Sequence, residues 1–391
     1  MENQFEAHKR LIHKWVDEGK LPGVNHLVVK DGEVLDETVV GFSDVESEVA
    51  LTTDSLFRLA SATKIFVTLL LLRLIDQGRV HYDDKLEKYF PELSTLSVFS
   101  GDGAKVEAVN SITVEDVARH SHGFSYGDNE PYRSALISAA LLKTDSRLVS
   151  DWSHNMTLSD WMAALSNVPM EFESGTAVAY GLGHDMLGAL IENLMGAPLD
   201  ECFRREIIEP LELTSTFFVV PVDRSPDLTS YYFYGKELVR LETGEESKFL
   251  ERPKSFSGGG GWDMLGNGGL VTNARDFATI LQVIVDKGVF KGQRFLKEET
   301  ISRLTSNRTE GIGEVLPGHG YSYGWGYQKE AAANSGRGGI GKMWWGGSTN
   351  PYFFVDPMQN LLSVCLTHTF PFGHLDAAHV LEKMTYKAIE S

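Results

Sequence analysis

The sequence predicts an α/β fold of the α+β type, in which an antiparallel sheet is flanked by terminal helices and carries an inserted, mostly helical domain. Three observations support this: a hairpin pattern near the N-terminus, another near the C-terminus, and a helical pattern between them. Hairpins join neighbouring strands antiparallel, whereas a doubly wound parallel sheet needs alternating strands and helices. We therefore expect a discontinuous α/β domain of residues 1–81 and 253–391, with residues 82–252 as the inserted helical domain.

The N-terminal elements are predicted from apolar periodicity and from turn residues. One apolar face indicates a helix over residues 5–17. Residues 24–29 and 34–41 flank an Asp31-Gly32 turn, which is typical of a β-hairpin. A long apolar helix then begins near Ser61 and ends near Gly78. Its apolar stretch is shorter than the ~20 residues that cross a membrane, so we expect a buried core helix.

The remaining elements follow from the same signals. Helical patterns cover residues 114–119, 158–165, 184–195 and 199–208, and another covers residues 273–286 after a loop rich in serine and glycine. Residues 352–355 and 361–367 flank the turn Asp356–Asn360, which predicts the C-terminal hairpin. A helix over residues 375–389 is expected to close the chain.

Composition restricts the classes of function. The 391 residues include 54 acidic and 36 basic side chains, and the net charge of −18 argues against non-specific binding to nucleic acid or to an anionic membrane. Two cysteines cannot build a disulfide framework or a zinc site by themselves. The polar N-terminus lacks the apolar segment of a signal peptide, so the sequence predicts a cytoplasmic protein.

Ser61-Ala62-Thr63-Lys64 is the most informative motif, because it places a hydroxyl and an amine three residues apart at the start of a helix. Residues at i and i+3 share a helical face, so the Lys64 amine can reach the Ser61 hydroxyl. A serine becomes a nucleophile when a nearby base takes its proton. The helix start also directs unpaired N–H groups towards any oxyanion formed there. The motif predicts nucleophilic catalysis by Ser61 with Lys64 as its base.

Serine acyl transfer also needs a second proton-handling group and an oxyanion hole. Tyr180 follows a glycine-containing turn and precedes a helix, from where its phenol can project towards the nucleophile. Trp345-Gly346-Gly347-Ser348 opens the C-terminal hairpin, and its glycines let a substrate carbonyl approach backbone N–H groups. We expect the N–H groups of Ser348 and Ser61 to form the oxyanion hole.

With these motifs the chain resembles the serine β-lactamase-like superfamily, and within it the class C-like esterases and transesterases. The resemblance implies a β-lactamase/transpeptidase-like fold with Ser61 as the acylated nucleophile, Lys64 as its base partner and Tyr180 as the active-site phenol. Trp345-Gly346-Gly347 stands in place of the Lys-Thr-Gly strand of true β-lactamases. The resemblance covers nearly the whole chain, through residues 58–64, 112–123, 175–188, 209–211, 268–271, 323–326 and 345–347.

Two departures from the true lactamases indicate the substrate class. Leu182 occupies the third position of their Tyr-x-Asn motif, and Trp345 replaces a cation. Both lost groups would bind polar or anionic parts of a β-lactam, so their loss favours an uncharged, more apolar ester or thioester. We therefore expect an enzyme without a cofactor or metal that transfers an acyl group from a small-molecule donor to water or an alcohol. Neither nucleic acid nor a membrane is expected as a partner.

Two alternatives remain open at this point. The first is a β-lactamase or D-alanyl peptidase, which the residues Leu182 and Trp345 disfavour. The second is an inactive ligand-binding protein on the same fold, which the complete set of Ser61, Lys64 and Tyr180 disfavours. Neither alternative is excluded by the sequence.

Other motifs are expected to carry no chemistry. Ser125 and Ser322 each lie in a Gly-x-Ser-x-Gly sequence, but neither has the strand before it and the helix after it that a nucleophile elbow requires. Residues 336–341 spell a dinucleotide-binding pattern in what is predicted to be a loop. His120 and His122 lack a third ligand at zinc-like spacing. We expect His120 to make local hydrogen bonds at a helix end.

Overall fold

The computed structural model describes residues 4–127, 129–142, 156–241, 256–259, 269–330 and 336–390. Eight strands of these residues form one large sheet, and the others form small sheets of two or three strands. The strands are β1 (Gly23–Lys30), β2 (Glu33–Asp44), β3 (Val49–Ala50), β4 (Phe57–Arg58), β5 (Ser97–Phe99), β6 (Lys105–Glu107), β7 (Tyr232–Tyr234), β8 (Leu238–Arg240), β9 (Val271–Thr272), β10 (Val289–Phe290), β11 (Gln293–Arg294), β12 (His319–Tyr321), β13 (Gly326–Gln328), β14 (Met343–Gly346), β15 (Tyr352–Asp356), β16 (Leu361–Leu366) and β17 (Thr369–Phe370).

The helices lie at both ends of the chain and through its middle, as predicted. They are α1 (Glu6–Asp17), α2 (Thr63–Asp76), α3 (Val114–Ala118), α4 (Tyr132–Ser138), α5 (Leu158–Leu165), α6 (Gly183–Met195), α7 (Leu199–Phe203), α8 (Ala274–Val285), α9 (Glu298–Leu304) and α10 (Ala377–Ile389).

The large sheet has eight strands in the order β12-β13-β14-β15-β16-β1-β2-β3, and every neighbouring pair is antiparallel. Both predicted hairpins are present as β1–β2 and β15–β16. The pairing of Asn25 with Leu366 joins them, so the two ends of the chain meet in the centre of the sheet. The predicted antiparallel sheet is confirmed.

Alternate side chains of the central strands pack on opposite faces of the sheet. Val24 and Val28 of β1 belong to a core that also contains residues of the terminal helices α1 and α10. Leu27 and Val29 belong to a larger core that contains residues of α2, α6 and α8. The period of two along a strand thus gives the sheet two apolar faces, each covered by helices.

Helix α2 is the predicted core helix. Every residue from Thr63 to Leu72 is buried. A helix that is apolar on all sides must be surrounded by other apolar groups. Among the described residues no helix is both long enough and apolar enough to span a bilayer.

The structure differs from the prediction at two helix boundaries. The predicted helix over residues 199–208 is helical in α7 only to Phe203 and continues as a π-helical turn, Arg204–Ile208. The closing helix begins at Ala377 and not at residue 375, because Leu375 and Asp376 have φ angles of +61° and +49°. Left-handed residues cannot continue a right-handed helix. The domain boundaries near residues 82 and 252 stay a prediction.

Candidate active site

Ser61 lies in a tight turn between strand β4 and the core helix α2. The turn is the 3-10 segment Ala60–Ala62, and Ala60 has a φ of +44°. This left-handed conformation costs a non-glycine residue ~1–3 kcal/mol, so the backbone just before Ser61 is strained. Ser61 stays partly exposed, whereas Lys64 is fully buried in the first turn of α2. Their side chains meet, with Lys64 Nζ 3.3 Å from Ser61 Oγ.

The Lys64 amine has two further hydrogen-bond partners, both far away in sequence. Lys64 Nζ lies 3.1 Å from the hydroxyl oxygen of Tyr126 and donates to the Gly259 carbonyl oxygen. It also lies 4.8 Å from the centre of the Tyr180 ring. The amine is therefore enclosed by the Ser61 hydroxyl, two tyrosines and one backbone carbonyl.

Tyr126 was not among the predicted site residues, although it directly follows Ser125 in one of the Gly-x-Ser-x-Gly sequences. Burial, reinforced by neighbouring Tyr180 and Asp185, raises the pKa of the Tyr126 phenol well above its ordinary value. The phenol therefore keeps its proton at neutral pH. The available signal was a tyrosine in a loop that also carries histidine and glycine, which alone does not identify a catalytic phenol.

Tyr180 lies in the loop before α6, and His120 holds this loop on both sides of the tyrosine. The Ala179 N–H donates to the His120 carbonyl oxygen at 3.0 Å, and the Gly181 N–H donates to His120 Nδ1 at 3.3 Å. The Tyr180 hydroxyl accepts a hydrogen bond from Trp345 Nε1 at 3.3 Å. The structure thus brings Tyr180 beside Lys64 and directs its hydroxyl towards the predicted oxyanion strand.

His120 does more than the local hydrogen bonding that the sequence suggested, since its ring bonds to a residue 61 positions away. Its ring centre lies 5.2 Å from that of His184 and 5.8 Å from that of His122, and all three side chains are buried. Burial lowers the pKa of His120 and His184 well below the ordinary value and that of His122 to about 3. The three imidazoles are therefore neutral. Among the described residues no cluster of three or more potential ligands can hold a metal ion.

The predicted oxyanion segment runs directly beside the turn that carries Ser61. The Gly347 N–H donates to the Pro351 carbonyl oxygen at 2.9 Å. A Cβ atom at Gly347 would lie only 2.4 Å from the Leu59 carbonyl oxygen, so glycine is needed for this approach. Thr349 Oγ1 also donates to the Arg58 carbonyl oxygen at 3.0 Å. These contacts hold the strand against the nucleophile turn, while the oxyanion role of Ser348 stays a prediction.

A buried carboxylate, Asp185, supports the carbonyl that Lys64 contacts. Ser257 Oγ and the Gly259 N–H both donate to Asp185 Oδ1, at 2.7 Å and 3.0 Å. Burial raises the pKa of Asp185 above its ordinary value. Residues 257–259 belong to the loop rich in serine and glycine that precedes residue 273, and residues 260 and 261 lie outside the described residues.

The other serines with an elbow-like sequence have different environments. Ser322 is fully buried and donates its hydroxyl to the Leu304 carbonyl oxygen at 2.6 Å. Ser125 is buried too, and its Oγ accepts from the Gly127 N–H at 3.1 Å. Residues 336–341 form no helix or strand, in agreement with the predicted loop.

A sequence model of the Beta-lactamase family matches residues 8–383, which is nearly the whole chain. The chain belongs to the Beta-lactamase family. Two named relatives are similar to this chain over most of its length. Esterase EstB of Burkholderia gladioli is 26% identical over 370 residues, covering 90% of this chain and 87% of the esterase. An Escherichia coli K12 protein provisionally named D-alanyl-D-alanine carboxypeptidase is 24% identical over 318 residues, covering 77% of this chain and 68% of that protein.

Two solved structures share the fold of this family member along its whole length. EstCE1, described as a hydrolase with promiscuous acyltransferase activity, has a TM-score of 0.79 at 22% identity and covers 98% of both chains. Unliganded simvastatin synthase from Aspergillus terreus has a TM-score of 0.80 at 18% identity, covering 100% of this chain and 98% of the synthase. These likenesses confirm the β-lactamase/transpeptidase-like fold.

Leu182 and Trp345, the two residues that depart from the true lactamases, are both buried. Leu182 is buried at the start of α6 and cannot offer the hydrogen bonds of an asparagine. Trp345 is buried and bonds to the hydroxyl of Tyr180 through its indole. An indole ring thus occupies the position at which the resemblance to true lactamases implies a cation.

Proposed function

We propose that this serine hydrolase-family protein is an esterase or acyltransferase that forms an acyl-enzyme at Ser61. The observation that carries the proposal is the 3.3 Å contact between Ser61 Oγ and the buried Lys64 Nζ. A small-molecule ester or thioester would supply the acyl group, and water or an alcohol would accept it.

The three partners of Lys64 suit a neutral amine that acts as a base. A neutral amine has two N–H donors and one lone pair. The Gly259 carbonyl can only accept a hydrogen bond, and the Tyr126 hydroxyl can accept the second. The lone pair then faces the Ser61 hydroxyl as an acceptor for its proton.

In the acylation step, Ser61 Oγ attacks the ester carbonyl while its proton moves to Lys64 Nζ. The carbonyl oxygen carries the negative charge, which N–H groups of Ser61 and Ser348 would stabilise. The C–O bond to the leaving group then breaks, and the leaving oxygen takes a proton from Lys64 directly or through the phenol of Tyr180. Water or an alcohol repeats these steps in the reverse sense to release the acyl group.

The proposed substrate is uncharged because Leu182 and Trp345 stand where the resemblance to true lactamases implies groups that bind polar parts of a β-lactam. Both side chains are buried, and neither carries a charge. The names of EstB, EstCE1 and simvastatin synthase agree with ester chemistry. Whether the acceptor is water or an alcohol depends on how the pocket excludes water.

Intact-protein mass after brief exposure to p-nitrophenyl acetate tests the nucleophile. We expect wild type to gain one acetyl group and release nitrophenol, and Ser61→Ala to do neither. Ser125→Ala is the matched control, because Ser125 is a buried serine next to Tyr126. Adding alcohols to the reaction then separates transfer from hydrolysis. If Ser61→Ala is acylated as fast as wild type, the proposal is wrong.

Comparing Tyr126→Phe with Tyr180→Phe tests which of the two phenols returns a proton to the leaving group. Loss of a positioned proton-transfer group costs ~10²–10⁴ in rate, which we expect for Tyr180→Phe. Tyr126→Phe removes one hydrogen bond to Lys64, which corresponds to ~10–100-fold. Steady-state ester hydrolysis measures both variants. A larger loss for Tyr126→Phe would transfer the proton-returning role to Tyr126.

A peptidase is the second candidate, because a relative is provisionally named D-alanyl-D-alanine carboxypeptidase. Release of D-alanine from a peptide ending in D-alanyl-D-alanine distinguishes the two functions. We expect a kcat/KM at least ~10²-fold below that for an apolar ester, since Trp345 stands where the resemblance to true lactamases implies the cation that would bind a terminal carboxylate.

A further inference from the structure

Strand β17 and the loop that follows it, residues 369–373, are held against the end of the predicted oxyanion segment by one side chain. Asn350 Nδ2 donates to the carbonyl oxygens of Thr369 and Pro371, at 2.5 Å and 2.8 Å. In return, the Gly373 N–H donates to Asn350 Oδ1 at 2.8 Å. Asn350 itself has a φ of +64°, a conformation that asparagine tolerates better than most residues. Three hydrogen bonds therefore fix the loop relative to Gly346 and Gly347.

This loop presents Phe372 beside the oxyanion segment. A Cβ atom on Gly346 would lie 3.1 Å from the Phe372 ring, so the ring rests against the bare Gly346 backbone. Phe372 is nevertheless 56% exposed. An exposed aromatic ring that is held in place next to a reactive centre is a surface on which an apolar ligand can bury area.

The apolar surface continues away from the nucleophile across two short strands. Strand β17 pairs in parallel with β7, which places Phe370 beside Phe233, with ring centres 6.0 Å apart. Val239 of β8 is the cross-strand partner of Phe233. Phe233 and Val239 are 39% and 49% exposed. We call Phe372, Phe370, Phe233 and Val239 the apolar rim.

We propose that the apolar rim is a substrate subsite that binds the alkyl or aryl group of the ester, with Phe372 as its specificity-determining residue. This inference rests on the proposed esterase or acyltransferase function and names the chemistry of its substrate. We assign the ester's alkyl or aryl group to the apolar rim because the rim begins at Gly346. It therefore adjoins the segment that is predicted to bind the ester carbonyl. Phe372 is the rim residue that lies against Gly346, so a group of several carbons attached to that carbonyl, or to the ester oxygen, would meet it before the rest of the rim.

The test compares two series of substrates in wild type and Phe372→Ala. One series lengthens the acyl chain of p-nitrophenyl esters from acetate to octanoate, and the other enlarges the alcohol part of acetate esters. Burying one additional CH2 group strengthens binding about fourfold. We expect kcat/KM of wild type to rise along one of the series. Phe372→Ala should lose at least ~10-fold on the longest member and stay within about twofold on p-nitrophenyl acetate.

Three further variants make the result specific. Phe372→Leu keeps an apolar side chain and should recover most of the loss. Asn350→Ala releases the loop and should reproduce the selectivity of Phe372→Ala. Met358→Ala removes another exposed apolar side chain, at the turn between β15 and β16, and should behave as wild type.

A binding measurement separates failure of this inference from failure of the proposed function. The uncleavable ether p-nitrophenyl octyl ether is titrated with tryptophan fluorescence as the signal, which needs no catalysis. Weaker binding to Phe372→Ala, by at least ~10-fold, supports the subsite even if no ester acylates Ser61. Equal binding together with unchanged selectivity in both substrate series overturns it.

Discussion

Replacing Gly347 with alanine tests whether catalysis requires the close packing of the predicted oxyanion segment against the turn that carries Ser61. The added Cβ would lie 2.4 Å from the Leu59 carbonyl oxygen and 2.8 Å from Pro351 Cγ. Cβ contacts under 3.0 Å essentially never occur, so the strand and the Ser61 turn must separate by at least 0.6 Å, the difference between 3.0 and 2.4 Å. Both contacts are with backbone or ring atoms, which cannot rotate away.

The expected loss follows from the geometry of an oxyanion hole. Its donors act at ~2.7–3.1 Å, so a displacement of this size takes one of them beyond hydrogen-bond range. Losing one donor costs ~10²–10³ in kcat, or ~2.7–4 kcal/mol of transition-state stabilisation. Overpacking should also lower the free energy of unfolding by ~1–3 kcal/mol.

Hydrolysis of a p-nitrophenyl ester measures kcat, and urea denaturation measures the free energy of unfolding separately. Gly339→Ala is the matched control, because a Cβ there meets nothing within 4 Å. We expect that control to match wild type in both assays. If Gly347→Ala folds and keeps kcat within threefold of wild type, the oxyanion assignment of this segment is refuted.

Three other predictions concern the supporting structure. His120→Ala frees the loop that carries Tyr180 and should lower kcat of ester hydrolysis ~10–100-fold, whereas His120→Asn, which tolerates the φ of +59° and keeps an acceptor, should lose less. Burial lowers the pKa of His26 from its ordinary 6.5 to about 3. Between these two pH values the unfolded chain carries a proton on His26 that the folded protein does not. The free energy of unfolding therefore falls as the pH drops below about 6.5. His26→Gln should therefore reduce the pH slope of the free energy of unfolding between pH 6 and 4 by ~1.4 kcal/mol per unit, measured by urea denaturation. Lys342→Met removes the buried amine that pairs with the buried Glu382, leaving Arg337 at 3.9 Å, and should cost ~3–5 kcal/mol of folding free energy; a thermal transition unchanged from wild type would contradict this.

The outline of the fold could be predicted because its signals are local. The Asp31-Gly32 turn and the turn Asp356–Asn360 each specify a hairpin within a few residues, and both hairpins are present. The predicted start of helix α10 was wrong for a reason that is also local but that no sequence pattern shows. Leu375 and Asp376 adopt left-handed backbone angles, which delays α10 by two residues.

The candidate site was predictable only in part, because only some of its contacts are between residues close in sequence. Ser61 and Lys64 are neighbours on one helical turn, so their spacing alone implies the contact that the structure has. Tyr126 reaches the same amine from 62 residues away, and the Gly259 carbonyl from 195 residues away. Neither residue type distinguishes itself in sequence, because tyrosines and glycines of loops are common for many structural reasons.

The amino-acid sequence by itself predicted Ser61 and Lys64 as nucleophile and base, and it determined the family resemblance, the antiparallel sheet and the residues Leu182 and Trp345. The tertiary structure decided what surrounds them: a second phenol on Lys64, a histidine that holds the Tyr180 loop, and an aromatic ring laid against Gly346. Short-range features are recorded in spacing and residue type, because one helical turn or one hairpin specifies their geometry. Contacts between distant segments depend on how the helices and the sheet pack, and no local pattern contains that information.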